Sequence, residues 1–360
     1  MAVGPARLGA IDFLAPAIGV ALSAPAISCR VPGVGVFQRA QPVRLASSTD
    51  GGLQWMTQGS PLSSKPPTAS TQPVLEQIVA VSVTTVWALS PGGTLLFTTD
   101  SGTTWAPQPL PEPVVKVARM GDSLWALACP PTSGSKGTFR CSPVLERKPL
   151  AGGAWETVPL PSLHPDVAPN LFVVSPDVVV LMMSDYGGSP GTLVVTADGG
   201  REWNLRASPR GPGDLCLSDA SFTAASPSDW WLLCNGGAAA GSSTKALMRT
   251  YDGGQTWSTV SAIASLTAPI APGSLPTAAA DFMASGSASE LWLAGFNTLT
   301  ESTDGGVTWI VVPGVNEQGE GAGSFDVWSS SMAWLLAPEI GLWATTDGTT
   351  WHPVGPVTRF

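Results

Sequence analysis

The sequence predicts an all-β chain, a seven-bladed β-propeller with four-stranded antiparallel blades. Three observations carry this prediction. A short phrase ending in Asp-x-Gly-x-x-Trp recurs five times and once more in a shortened form, an apolar phrase recurs upstream of it, and the spacing leaves one gap that a seventh copy fills. Self-similarity at a period of roughly 50 residues marks a repeat architecture, in which each unit buries its apolar surface only against its neighbours.

The recurring phrase is a small hydroxyl residue, Asp two places on, Gly two places further, a polar residue and then Trp. Its copies run Ser48, Asp50, Gly52, Gln54, Trp55; Thr98, Asp100, Gly102, Thr104, Trp105; and Thr196, Asp198, Gly200, Glu202, Trp203. They continue as Thr250, Asp252, Gly254, Thr256, Trp257 and as Ser302, Asp304, Gly306, Thr308, Trp309, and end on the shortened Thr345, Asp347, Thr350, Trp351. Asp and Gly between two apolar runs are turn chemistry: the carboxylate accepts nearby backbone N–H groups, and Gly takes the positive φ. Trp then opens the next strand as a large rigid anchor.

The elements follow in order. The interval from Trp105 to Trp203 is about twice the others, and Trp155 halves it, although Leu150 stands where its turn should carry Asp. Upstream of the boxes lie Trp87-Ala-Leu, Trp125-Ala-Leu, Trp231-Leu-Leu, Trp292-Leu-Ala and Trp334-Leu-Leu, with Val20-Ala-Leu and Val179-Val-Leu in the two remaining repeats. Further upstream a small-residue strand carries Phe13, Phe172, Phe222, Phe282 or Phe325, as expected where strands crowd a central axis. The repeats span 8–61, 76–112, 113–162, 170–209, 219–262, 280–314 and 324–357 of a single 1–360 propeller, with six blades plus an insert as the alternative. Segments 60–71, 129–149, 235–245 and 263–277 read as loops rather than domain boundaries.

These motifs resemble the Asp-box (BNR) repeat family, which includes sialidases, sortilin-type receptor domains, xyloglucan hydrolases and a photosystem II assembly factor. The resemblance implies that the box is the turn between the third and fourth strands of a blade, peripheral and structural. Sialidases in this family carry an aromatic-Arg-Ile-Pro motif; Cys29-Arg30-Val31-Pro32 matches it only in part. They also need a Tyr nucleophile, and the two tyrosines, Tyr186 in a Gly-rich turn and Tyr251 inside a box, are poorly placed for that. Sialidases are six-bladed, so sialidase activity is not expected. The assembly factor resembles the chain in blade number, but its expected basic patch has no counterpart here.

Composition excludes other classes. Net charge is −9, with five Lys and twelve Arg spread thinly, so no concentrated basic face exists for nucleic acid. No run of 18 apolar residues offers a membrane span. Residues 1–28 read as strands of the first blade, because Asp12-Phe13 resembles Asp281-Phe282; any export signal would lie outside this sequence. Cys129 with Cys141, and Cys216 with Cys234, are candidate disulfides, which favour an extracellular, periplasmic or cell-surface location over the cytoplasmic alternative. Cys29 is left over. His164 and His352 are too few for a zinc site.

Candidate ligand-binding residues are Asp12, Asp281 and Asp326, from repeats that neighbour each other in a closed ring, with Arg119 and Lys116 as opposing cations. Trp230, Trp328 and Trp343 fall outside the regular Trp positions and are candidate platforms or packing residues. The expected role is a non-catalytic binding or assembly propeller, a monomer presenting loops to a protein, peptide or glycan. The alternative is a glycoside hydrolase or lyase acting on polysaccharide through carboxylates at the central funnel. No catalytic residue, metal ligand or cofactor is identified; calcium is left open.

Overall fold

The computed structural model describes residues 2–31, 35–39, 44–58, 77–90, 92–129, 142–163, 167–185, 191–209, 211–212, 215, 218–239, 241–266, 271–278, 280–295, 298–315, 324–337 and 341–354. It is a seven-bladed antiparallel β-propeller, and each blade is built from one continuous stretch of chain. The chain divides into two compact units, residues 1–110 with 318–360, and residues 111–317.

The first unit holds three blades. Blade 1 comprises β1 (Ala2–Ala15), β2 (Ile18–Val31), β3 (Gly35–Arg39), β4 (Arg44–Ser48) and β5 (Met56–Gln58). Blade 2 comprises β6 (Gln77–Ala80), β7 (Val86–Leu89), β8 (Leu95–Thr98) and β9 (Ala106–Pro107). The last four strands of the chain form the remaining blade of this unit, blade 7: β26 (Ser324–Ser329), β27 (Met332–Ala337), β28 (Gly341–Thr345) and β29 (Trp351–Val354).

The second unit holds blades 3 to 6. Blade 3 is β10 (Val114–Met120), β11 (Ser123–Ala128), β12 (Val144–Pro149) and β13 (Glu156–Val158); blade 4 is β14 (Val167–Val173), β15 (Val179–Asp185), β16 (Thr192–Thr196) and β17 (Asn204–Ala207). Blade 5 is β18 (Ser218–Ala224), β19 (Trp230–Ala239), β20 (Ser242–Thr250) and β21 (Ser258–Ile263); blade 6 is β22 (Ala280–Ser285), β23 (Leu291–Gly295), β24 (Thr298–Ser302) and β25 (Ile310–Val311).

Blade 1 adds one strand to the four-stranded plan, and two loop expectations need correction. Blade 1 has five strands, because the long β2 pairs with both β3 and β4 along different parts of its length. The segment 235–245 is not a loop: β19 and β20 run on as a hairpin, with Asn235 opposite Lys245 and Ala239 opposite Ser242. Likewise β12 begins at Val144, inside the expected loop 129–149.

Burial follows strand position. Second strands are covered on both faces: every residue of β7 and of β23 is buried. Outermost strands are solvated, as in β9 and β25. This explains why Trp-Ala-Leu runs show no polar alternation, since a strand packed on both faces reads as continuously apolar. The cores accordingly lie between blades. Ile11, Phe13 and Trp55 of blade 1 pack with Trp334, Leu336 and Leu342 of blade 7. Trp125 and Leu127 of blade 3 pack with Leu171 and Leu181 of blade 4. A fully buried Trp removes roughly 150–250 Å² from water, worth roughly 4–6 kcal/mol at about 25 cal/mol per Å².

The box is a closed hydrogen-bonded turn. In blade 5, Thr250 Oγ1 donates to Asp252 Oδ1 at 2.7 Å and accepts the Gly254 N–H at 2.9 Å. Asp252 also accepts the Gln255 and Thr256 N–H groups, each at 2.9 Å, and Thr256 Oγ1 at 2.6 Å. The same pattern recurs around Asp100 and Asp304. Gly is required because this position has φ near +90° and lies against packed side chains. A Cβ on Gly200, at φ +91°, would stand 2.7 Å from Val158 Cγ1 of the preceding blade. Gly200→Ala is therefore expected to destabilise by about 1–3 kcal/mol, read as a lower urea midpoint with unchanged slope.

Candidate functional site

The box turns join neighbouring blades. The first Gly of a box exposes a carbonyl that a side chain of the preceding blade reaches: Arg147 Nη1 donates to Gly199 O at 2.9 Å, and Arg206 to Gly253 O. Trp231 Nε1 donates to Gly305 O at 3.1 Å, and Trp334 Nε1 to Gly51 O at 3.0 Å. In blades 1, 2, 4, 5 and 6 the same turn docks on the hairpin joining the first two strands, as in Gly199 N–H to Asp177 O and Gly305 N–H to Ser289 O. The box residues Asp50, Asp100, Asp198, Asp252, Asp304 and Asp347 all accept hydrogen bonds inside their own turns.

The repeat lacking a box shows what the motif replaces. Register places Lys148 opposite Leu124, where other blades carry the box hydroxyl. Its ammonium donates to Gly153 O, so one cation spans the turn that a hydroxyl and a carboxylate close elsewhere.

Sequence reasoning missed two further features. The hairpin between the first two strands is capped by a Ser in several blades: Ser226 Oγ accepts the Asp229 N–H at 3.1 Å, and Ser287 Oγ the Glu290 N–H at 3.1 Å. These serines read as loop composition, yet their recurrence ahead of several of the apolar runs was the available signal. The second is Arg249. Its guanidinium forms a bidentate pair with Asp229 at 2.9 and 2.8 Å and donates to Ala288 O of blade 6 at 2.8 Å. It also lies 4.1 Å from the Trp231 ring centroid and 4.5 Å from that of Tyr251.

The inner strands of the first unit carry the two carboxylates that come together. Asp326 on β26 accepts the Phe13 N–H at 2.6 Å, and Asp12 on β1 accepts the Ala80 N–H at 2.5 Å. Blade 7 is thereby tied to blade 1, and blade 1 to blade 2. Asp12 lies opposite Val20 and Asp326 opposite Trp334, the same place in their two blades. Burial first, and the neighbouring Asp12 carboxylate second, push Asp326 up to about 7, while the Phe13 and Val327 N–H groups pull it down. Ser221 does the equivalent work in the second unit, accepting the Met283 N–H at 3.0 Å.

The other candidates separate from this pair. Asp281 lies on β22, one residue before Phe282, which pairs with Ala294; its side chain is outside the described residues. Register therefore matches Asp12 to Asp326, whereas the shared Asp-Phe dipeptide had matched it to Asp281. Arg119 is exposed on β10 in the second unit, and burial lowers the neighbouring Lys116 ammonium. Trp230 is fully buried, whereas Trp328 is half exposed.

Cys129 and Cys234 are each disulfide-bonded, while Cys141 and Cys216 lie outside the described residues, as do the side chains of Cys29 and Arg30. Tyr186 and His164 are also outside them. Among the described residues no group of three or more His, Cys, Asp or Glu is disposed to hold a metal ion, and no helix is long and apolar enough to cross a membrane.

No protein-family model and no curated protein sequence matches the chain. Solved structures do. The chain is similar to YCF48 bound to D1 peptide, with a TM-score of 0.61 at 16% identity over 95% of this chain and 94% of that one. It is also similar to YCF48 from Cyanidioschyzon merolae, with a TM-score of 0.59 at 14% identity over 95% and 96% of the two chains. An ancestral GH74 enzyme matches with a TM-score of 0.55 at 12% identity, over 98% of this chain and 46% of that one. At such identities the likeness shows the fold, and that fold is the β-propeller the repeats predicted.

Proposed function

We propose that the chain is a non-catalytic binding or assembly propeller that presents blade-end loops to a protein or peptide. The observation that carries this reading is the use made of the inner-strand acids. Asp12 and Asp326 both accept backbone N–H groups of the next blade, so they hold neighbouring blades together. Blades tied to one another beneath their connecting loops suit recognition. The likeness to a YCF48 structure with a bound D1 peptide supports a peptide as the class of ligand. Disulfides at Cys129 and Cys234 support an oxidising location such as the cell exterior or periplasm.

One observation favours a second reading. An acid held up to about 7 beside another carboxylate is the pairing that glycosidic hydrolysis uses, and an ancestral GH74 enzyme shares the fold. Selection from a displayed random-peptide library, run beside a chromogenic glycoside panel with and without calcium, separates the two. Enriched peptides without turnover are the expected result. Turnover that disappears in Asp12→Asn or Asp326→Asn would overturn the binding reading and make the chain a hydrolase.

A further inference from the structure

We infer that the hairpin end of blade 7 is a docking surface for a basic peptide segment, with Trp328 as its aromatic platform. This rests on the binding reading above and names the chemistry of the partner. Trp328 lies on β26 between Val327, which pairs with Ala333, and Ser329, which pairs with Met332, so the ladder is irregular at this residue. A bulge bends the strand and re-aims the residue it leaves unpaired. The consequence here is an indole left 50% exposed, whereas Trp55, Trp125, Trp230, Trp231, Trp292 and Trp334 are fully buried. An indole with its face open and its edge anchored in an inner strand is a rigid platform suited to a ligand.

Charge selects the occupant. β27 begins at this hairpin, and its residue Ala333 pairs with Thr345 at the end of β28, so the box carrying Asp347 emerges at the same end of the blade. Two strand spacings, about 10 Å, separate β26 from β28. Bonds from the Thr349 and Thr350 N–H groups hold Asp347 well below the usual carboxylate range, so it stays anionic. The next box, with Asp50, is brought alongside by the Trp334 Nε1 bond to Gly51 O. Among the residues of this unit whose side chains are described, Arg44 is the one Lys or Arg, and it opens β4 at the end opposite that box. An indole face at the same end of the blade as fixed carboxylates suits an extended cationic segment, which one side chain holds by cation–π attraction and its neighbours by Coulomb attraction. A neutral sugar ring would use the indole and ignore the charges.

The test uses the full chain and fluorescence anisotropy with a labelled (Gly-Arg)4 peptide, against (Gly-Glu)4 and cellohexaose as comparison probes. The expected result is saturable binding of the Arg peptide that weakens with salt, a loss of about 3- to 30-fold in Trp328→Ala, and recovery in Trp328→Tyr. Ile310→Ala, an exposed apolar change in the other unit, should bind as the wild type does. Arg-peptide binding indifferent to Trp328→Ala overturns the inference, and so does cellohexaose displacing the Arg peptide through Trp328. Peptides enriched from the display library whose affinity does not depend on Trp328 would overturn this inference and leave the binding reading standing. Glycoside turnover would overturn that reading itself.

Discussion

Arg249→Ala is expected to lower the stability of the chain by about 3–5 kcal/mol, the range for removing one partner of a buried ion pair. Both side chains of the Arg249–Asp229 pair are largely buried, at 10% and 14% exposure, so the orphaned Asp229 carboxylate would lose its main partner without regaining full hydration. The same change removes a hydrogen bond to blade 6 and the cation stacked against Trp231 and Tyr251. Arg249→Lys should rescue little, because an ammonium cannot make the planar bidentate pair and stack at once. Urea titration with intrinsic Trp fluorescence reads the effect. A loss below about 1 kcal/mol in Arg249→Ala would mean that the pair behaves as a surface contact.

The second large effect concerns Asp326 and pH. Its folded value is raised from the ordinary 3.8 to about 7, so the folded chain binds the proton more tightly than the unfolded chain does. Stability from this group is therefore fully present below about pH 4, falls as pH rises towards 7, and is flat above that. Asp326→Asn keeps an acceptor for the Phe13 N–H and removes the charge. The variant should melt higher than the wild type at pH 8, match it more closely near pH 5, and lose the slope between. The box aspartates act in another window. Asp100, Asp198, Asp252 and Asp347 are lowered, chiefly by hydrogen bonds from their own turns, so their contribution is lost only as pH falls below about 4. The difference between wild-type and Asp326→Asn melting curves from pH 4.5 to 8 isolates Asp326; a difference that does not change across that range would refute the assignment.

The blades were legible because their punctuation is chemical. A turn closed by one hydroxyl, one carboxylate and two glycine-dependent backbone angles tolerates few residue types, so its copies stay recognisable at a distance of 50 residues. Even the degenerate repeat was found from Trp155 alone, and β12 and β13 flank its turn as expected. The inner strands were less legible. Phe13 pairs with Gly19, Phe172 with Val180 and Phe282 with Ala294, so the phenylalanines do not share one register. Irregularities in β1 and β22 shift residues along the strand, and dipeptide matching cannot see them. That is why Asp12 was matched to Asp281 although its structural counterpart is Asp326. The Arg249 sandwich was illegible for a different reason: its partners come from a hairpin, one strand and the box turn of its own blade and from a turn of the next blade, with no fixed spacing between them.

The seam between blades 7 and 1 has a kinetic consequence. Each blade pairs only strands from its own continuous stretch of chain, so no strand from one end of the sequence completes a blade at the other. Blades 1 and 7 meet through side chains: the Asp326 bond to Phe13, the Trp334 bond to Gly51, and the Phe13 and Trp334 rings stacked 3.7 Å apart. Individual hairpins close short loops and form quickly, whereas this seam joins residues separated by 313 positions. Blade formation should therefore precede closure. Substitutions at the seam such as Phe13→Leu are expected to speed unfolding while leaving the early refolding rate nearly unchanged.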